Sequence, residues 1–181
     1  LFATSNQQFF MNKFKNNEIN IDDIDVIFFD FDGVLTNNIV HLDKDGNEWV
    51  SCSRADGLAF DVLRKISKPT YILSTEKNSV VTARAKKLNI PLLQGVYNKA
   101  EKIKKCAYEM NFDLAKVLYV GNDLNDYQVM ELCGYTACPS DSHKKIKEIS
   151  TFVLDTMGGK GVVRELLENV FRLNFVQILY L

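Results

Sequence analysis

Two carboxylates, Asp30 and Asp32, stand one residue apart in the segment IFFDFDGVLTNN, and Gly33 follows them directly. Acids at this spacing can share a hard divalent cation through their oxygens, while one of them stays free to attack an electrophile such as phosphorus. Gly33 frees the backbone for a sharp turn just after the acids. A lone pair of acids behind a strand also reads as a plain acidic turn, so the surrounding elements have to decide.

The run at 26–29 is almost wholly apolar, as expected for a strand buried on both faces. In open α/β sheets ligands collect beyond the carboxyl ends of the strands, which is where Asp30 and Asp32 would point. Further strands are predicted at 71–73, 91–93, 117–120, 135–138 and 152–154, alternating with helical periodicity. Before the helix that follows Asn98, Asn98 and Glu101 have the spacing of a capping box, with Ile103, Cys106, Ala107 and Met110 as its apolar stripe. Gly134 suits a stop-and-turn position. The alternation predicts an α/β, Rossmann-like parallel sheet with helices on both faces. The segment IVHLDKDGNEWVSC reads as a hairpin inserted at 38–52, turning at Asp45-Gly46.

At 181 residues, 46% of them hydrophobic, the chain has the size of one domain, with no room for a second. Residues 1–20 are rich in Asn, Gln and Lys and begin without Met, so they read as a linker, tag or boundary segment, leaving 21–181 as the domain. The net charge of −1 offers no field for nucleic acid or an acidic membrane surface. Cys52, Cys106, Cys133 and Cys138 lack a C-x-x-C pair and sit in or beside apolar segments, which points to reduced thiols and a cytoplasmic compartment. No apolar run approaches the roughly 20 residues that span a bilayer.

DFDGVLT resembles the first motif, DxDGxxT, of the haloacid dehalogenase (HAD) superfamily, and further segments match in order. The resemblance implies Asp30 as a nucleophile forming an aspartyl-phosphate and Asp32 as general acid and base. Ser74 would hydrogen-bond the phosphoryl group, and Lys99, in YNKAEK, would neutralise it. GNDLND at 121–126 is similar to the motif that completes a magnesium site made of Asp30, the backbone oxygen of Asp32, and a third residue. That third residue is Asn122 where the family pattern has Asp, so Asp123 could assist, and Asp126 would reach the metal through water or orient Lys99. Backbone N–H groups near Phe31 and Asp32 would hold phosphoryl oxygens.

The hairpin, the RADG segment at 54–57 and GGKGVVRE at 158–165 resemble the small capless sugar-acid phosphatases, which act on 3-deoxy-octulosonate 8-phosphate or on nonulosonate 9-phosphates of the sialic-acid type. A homotetramer built on the hairpin, with active sites near subunit interfaces, is implied. The same resemblance nominates Gly33, Arg54, Asp56, Gly57, Thr75, Glu76, Lys87 and Arg164 for substrate binding. Glu76 stands where octulosonate enzymes tend to carry arginine, and with Lys87 it favours a nonulosonate 9-phosphate. Solvated charges at a helix start and on a helix face are the structural alternative for these two, and an ion pair with Glu168 is the alternative for Arg164. A competing reading is a non-catalytic oligomerisation module of an acylneuraminate cytidylyltransferase. Retention of Asp30, Asp32 and Lys99 opposes it. His143 reads as a helix start, His41 as hairpin surface, Lys144, Lys145 and Lys147 as a solvated face, and Phe152, Val153, Val162, Val163, Leu166 and Leu167 as core.

Overall fold

A computed structural model describes residues 19–181; most of the segment expected to be a linker lies outside the described residues. The central sheet has six parallel strands: β1 (Val26–Phe29), β4 (Thr70–Leu73), β5 (Leu92–Leu93), β6 (Val117–Val120), β7 (Tyr135–Cys138) and β8 (Phe152–Val153), in the order β5-β4-β1-β6-β7-β8. The α/β class and all six strand positions agree with the sequence, with ends shifted by one residue at 70, 92 and 153.

Strand alternation divides the interior in two, because successive side chains leave a strand on opposite faces. Ile27 and Phe29 of β1 and Leu118 and Val120 of β6 enter one core. That core is covered by helices α1 (Arg54–Lys65) and α2 (Ser79–Leu88), by α6 (Val162–Glu165) with the π turn Leu166–Val170, and by α7 (Phe175–Tyr180). Val26, Phe28, Val117 and Tyr119 enter the other, beneath α3 (Lys99–Met110), α4 (Tyr127–Met130) and α5 (Lys144–Ile149). Within α3, Ile103, Cys106 and Ala107 are buried as expected, whereas Met110 is exposed at the last turn. The expected cap of α3 forms by half: the Asn98 side chain accepts from Glu101 N–H, but the Glu101 carboxylate pairs with Lys104 instead of returning to the cap. Val153, expected in the core, is 49% exposed because it lies on the outermost strand. Gly134 serves close approach: a Cβ there would stand 1.9 Å from the Ala115 carbonyl oxygen.

The insertion at 38–52 forms two short antiparallel strands, β2 (His41–Leu42) and β3 (Glu48–Trp49). Its turn is wider than the Asp45-Gly46 dipeptide suggests, because Asp43 Oδ1 accepts from the N–H groups of both Asp45 and Asn47 and so organises a five-residue loop. Among the described residues no cap domain covers the carboxyl ends of the strands; the hairpin is tied down beside them by Asn78 Nδ2 donating to Glu48.

Candidate active site

β1 pairs with β4 on one side and with β6 on the other, so Phe29, Ile72 and Val120 lie level across the sheet. The chain order reverses about β1, and the residues that leave these three strands therefore converge at one crevice. Asp30 follows β1, Ser74 follows β4, and Gly121 and Asn122 follow β6.

Asp30 and Lys99 are buried, and Asp126 is sealed completely. Lys99 Nζ donates to Asp30 Oδ1 at 2.8 Å and to Asp126 Oδ1 at 2.7 Å. Asp126 also accepts from the Tyr119 hydroxyl at 2.7 Å and from Asn122 N–H at 2.9 Å. Gly121 makes room for this carboxylate, since a Cβ there would lie 2.6 Å from Asp126 Oδ2. Of the two roles the sequence left open for Asp126, its contacts are those of a residue that orients Lys99.

Asp30 Oδ1 takes the Phe31 N–H at 2.7 Å together with Lys99, which leaves its other oxygen for the cavity that it lines. Phe31 N–H is thus already spent on Asp30. The N–H and C=O of Asp32 are taken by no other backbone group among the described residues. Thr36 holds the turn: its Oγ1 accepts from Gly33 N–H and approaches Asp32 Oδ1 at 3.5 Å. Gly33 has φ +79°, and a Cβ there would stand 1.9 Å from Asn122 Nδ2, so glycine lets the β1 and β6 loops touch.

Burial pushes the Asp30 carboxyl up to about 8, with the Asp126 charge adding to the effect and Lys99 opposing it. Burial also raises Asp32, helped by the nearby Glu76 charge. For Lys99 burial works in the opposite direction, but Asp30 and Asp126 outweigh it and raise its pKa. Two buried carboxylates around one ammonium leave the pocket short of positive charge.

Asn122 Oδ1 is buried without any hydrogen-bond partner, in the cavity of about 300 Å³ that Asp30, Asp32 and Asp123 also line. An orphaned amide oxygen beside crowded carboxylates is a donor set that suits a hard cation with oxygen preference. No three His, Cys, Asp or Glu side chains are grouped so as to hold a metal ion by themselves among the described residues, and the third position beside Asp30 and Asp32 is an amide. Asp30, Asp32 and Asn122 fit magnesium, with Asp123 at the rim, its side chain accepting from Leu124 N–H.

Ser74 is buried at the end of β4, and its Oγ accepts from Glu76 N–H. Thr75 lines the cavity. Glu76 stands close enough to Asp32 for its charge to raise that carboxyl, but the remaining nominated residues do not converge. Glu76 Oε1 accepts from its own neighbours Lys77 N–H and Asn78 N–H, and Lys87 lies at the opposite end of α2, about 12 Å along the axis from its first residue at 1.5 Å per residue. Asp56 is buried in α1, where Oδ1 accepts from Val163 N–H and Arg164 N–H and caps α6. Arg164 pairs with Glu168 at 2.8 Å and stacks over Phe175, matching its structural alternative. Arg54 is exposed in the first turn of α1 with no ion pair among the described residues, and Gly57 faces open space. His143 caps α5 as read. Thr36 and Tyr119 are not among the residues that the sequence nominates. Thr36 is the final residue of the quoted DFDGVLT, but a tyrosine in the apolar run VLYV carries no sign that its hydroxyl reaches a carboxylate.

Residues 3–166 match the model of the haloacid dehalogenase-like hydrolase family, and the chain belongs to it. Its sequence is 28% identical over 145 residues to the 3-deoxy-D-manno-octulosonate 8-phosphate phosphatase KdsC of Escherichia coli K12, covering 80% of this chain and 77% of that one. Among solved structures it is similar to a protein assigned to the HAD family hydrolases from Streptomyces avermitilis (39% identity, TM-score 0.81, 84% and 87% of the two chains). It is also similar to the cobalt-bound deoxy-D-mannose-octulosonate 8-phosphate phosphatase of Haemophilus influenzae (25% identity, TM-score 0.77, 87% and 90%). These place it in the capless sugar-acid phosphatase branch, as an enzyme of the phosphatase type.

Proposed function

We propose that the protein is a magnesium-dependent phosphatase of a keto-sugar acid, with 3-deoxy-D-manno-octulosonate 8-phosphate as the favoured substrate. The observation that carries the reaction is Lys99 held between Asp30 and Asp126 beside the unpartnered Asn122 oxygen. The preference for octulosonate over the nonulosonate expected from the sequence is supported by the relatives.

In this reading Asp30 attacks phosphorus and the bond to the ester oxygen breaks, giving an aspartyl-phosphate. Asp32 delivers its proton to the departing sugar oxygen and then takes one from the water that hydrolyses the intermediate. Its raised pKa suits that first role, because the carboxyl must hold a proton before it can give one. Lys99 neutralises charge at Asp30 and on the phosphoryl oxygens, and Asp126 with Tyr119 fixes its position. Magnesium, when bound by Asp30, the Asp32 carbonyl and Asn122, supplies charge neutralisation at the phosphoryl group. The exposed Leu42 and Trp49 of the hairpin suit a tetramer contact. Four free cysteines accord with a cytoplasmic setting, and among the described residues no helix is long and apolar enough to cross a membrane.

Phosphate release from octulosonate 8-phosphate, N-acetylneuraminate 9-phosphate and simple sugar phosphates, with magnesium and with chelator, tests the proposal. Octulosonate 8-phosphate should lead and chelator should abolish release. Preference for the 9-phosphate would overturn the substrate, and full activity in chelator would overturn the metal.

A further inference from the structure

Beside the cavity of Asp30 and Asp32 lies a second hollow of about 440 Å³, and the two adjoin over Thr75, Leu124 and Asn125, which line both. Beyond that saddle the second hollow is bounded by Tyr97, Asn98, Lys99 and Gln128. Lys99 is the one basic residue of its lining, and its ammonium is committed to two carboxylates. The Asn98 side chain is committed to capping α3. What remains for a ligand is the Thr75 hydroxyl, the amides of Asn125 and Gln128, which are exposed and make no hydrogen bond among the described residues, and the ring of Tyr97.

Tyr97 is 97% exposed and belongs to neither core, so packing does not account for an aromatic ring at this lip. Amides and a hydroxyl both donate and accept, which matches the alternating needs of sugar hydroxyls. A ring face with a polar tip covers the C–H edge of a polyol while its hydroxyl stays wet. A carboxylate would find no free cation here.

We propose that this hollow seats the neutral, polyhydroxylated stretch of the leaving group next to the ester oxygen, and that the acid function of the substrate lies outside it. The proposal rests on the phosphatase reading above and deepens it, adding Tyr97, Asn125 and Gln128 as specificity-determining residues.

The test compares kcat/KM for octulosonate 8-phosphate with that for 2-hydroxyethyl phosphate, which lacks the polyol, in wild type, Tyr97→Ala and Gln128→Ala. Both side chains are exposed, so folding is not at stake. The ratio of the two values should fall about tenfold in each variant, the worth of one hydrogen bond or ring contact, and the loss should appear in KM for the longer ester. An unchanged ratio in both variants would overturn the hollow as a subsite while leaving the phosphatase reading intact. Absence of turnover of either ester by the wild type would overturn that reading and this proposal with it.

Discussion

Lys99 and Asp126, 27 positions apart in sequence, meet at 2.7 Å in a pocket closed to solvent, and the same ammonium reaches Asp30 at 2.8 Å. In the proposed reaction the charge assigned to the phosphoryl group is therefore positioned by a second carboxylate, Asp126. Asp126→Ala leaves Lys99 paired with Asp30 but strands the Tyr119 hydroxyl and the Asn122 N–H, and a buried donor left unsatisfied costs about 1–3 kcal/mol. Asp126→Ala should lower stability by about that amount in chemical denaturation and lower phosphate release as Lys99 loses its second anchor. A variant as stable as wild type would show that the pair is not a unit.

Gly33 is the point at which the loops after β1 and β6 touch. With φ at +79° and Asn122 Nδ2 at 1.9 Å from the place of a Cβ, Gly33→Ala must displace the amide. Wild type should gain stability on adding magnesium, since a ligand of the folded state alone raises it by RT ln(1 + [L]/Kd). Gly33→Ala should lose most of that gain and be less stable even without metal, by about 1–3 kcal/mol for the strained backbone. An unaltered magnesium shift in thermal unfolding would refute the role given to Asn122.

Asn122 itself offers the complementary change. Asn122→Asp adds a carboxylate where an uncharged oxygen now sits unpartnered. Half-activation should occur at about tenfold lower magnesium, equivalent to about 1.4 kcal/mol of metal affinity. In chelator the same variant should unfold more easily than wild type, because a third carboxylate then joins Asp30 and Asp126. A titration of activity against magnesium checks the first effect and a melt in chelator the second.

Much of this arrangement was legible in the sequence, and the reasons are local. The six strands show as short apolar runs because each is buried on one or both faces of a parallel sheet, and Asp30, Lys99 and Asp126 lie in motifs of contiguous residues. What the sequence hid depends on contacts made across the fold. The resemblance nominates Asp56 and Arg164 for substrate binding, yet the backbone of α6 carries Arg164 onto Glu168 and Phe175 while Asp56 is used as the cap of that same helix. Glu76 before the first turn of α2 and Lys87 in its last turn stand as the sequence places them, but the span of the helix between them is not visible in their pairing. Tyr119 was hidden because a strand run reports only which face a side chain takes, and not that a phenol at that depth ends on Asp126.

Asp56 gives a pH dependence whose sign follows from its burial. Burial raises its carboxyl to about 6 from an ordinary 3.8, against the opposing hydrogen bonds from Arg164 and Val163 and the charge of Arg84. With the folded value above the unfolded one, the stabilising effect is complete below pH 3.8 and is lost as pH rises through about 6. The loss is on the order of 2–3 kcal/mol. Asp56→Asn keeps one oxygen to accept from Val163 and Arg164 and does not ionise. The difference in unfolding free energy between variant and wild type, followed from pH 4 to pH 7.5, should shift toward the variant as pH rises. A constant difference would show that Asp56 does not titrate in this window.

The central claim is that Asp30 takes the phosphoryl group, and the most direct measurement is phosphate release from octulosonate 8-phosphate with magnesium by wild type and by Asp30→Asn, with circular dichroism on both. The account predicts a folded variant whose turnover falls by at least about 10³-fold, the scale of losing a group essential to the chemical step. A folded Asp30→Asn enzyme that retains turnover near that of wild type would contradict it.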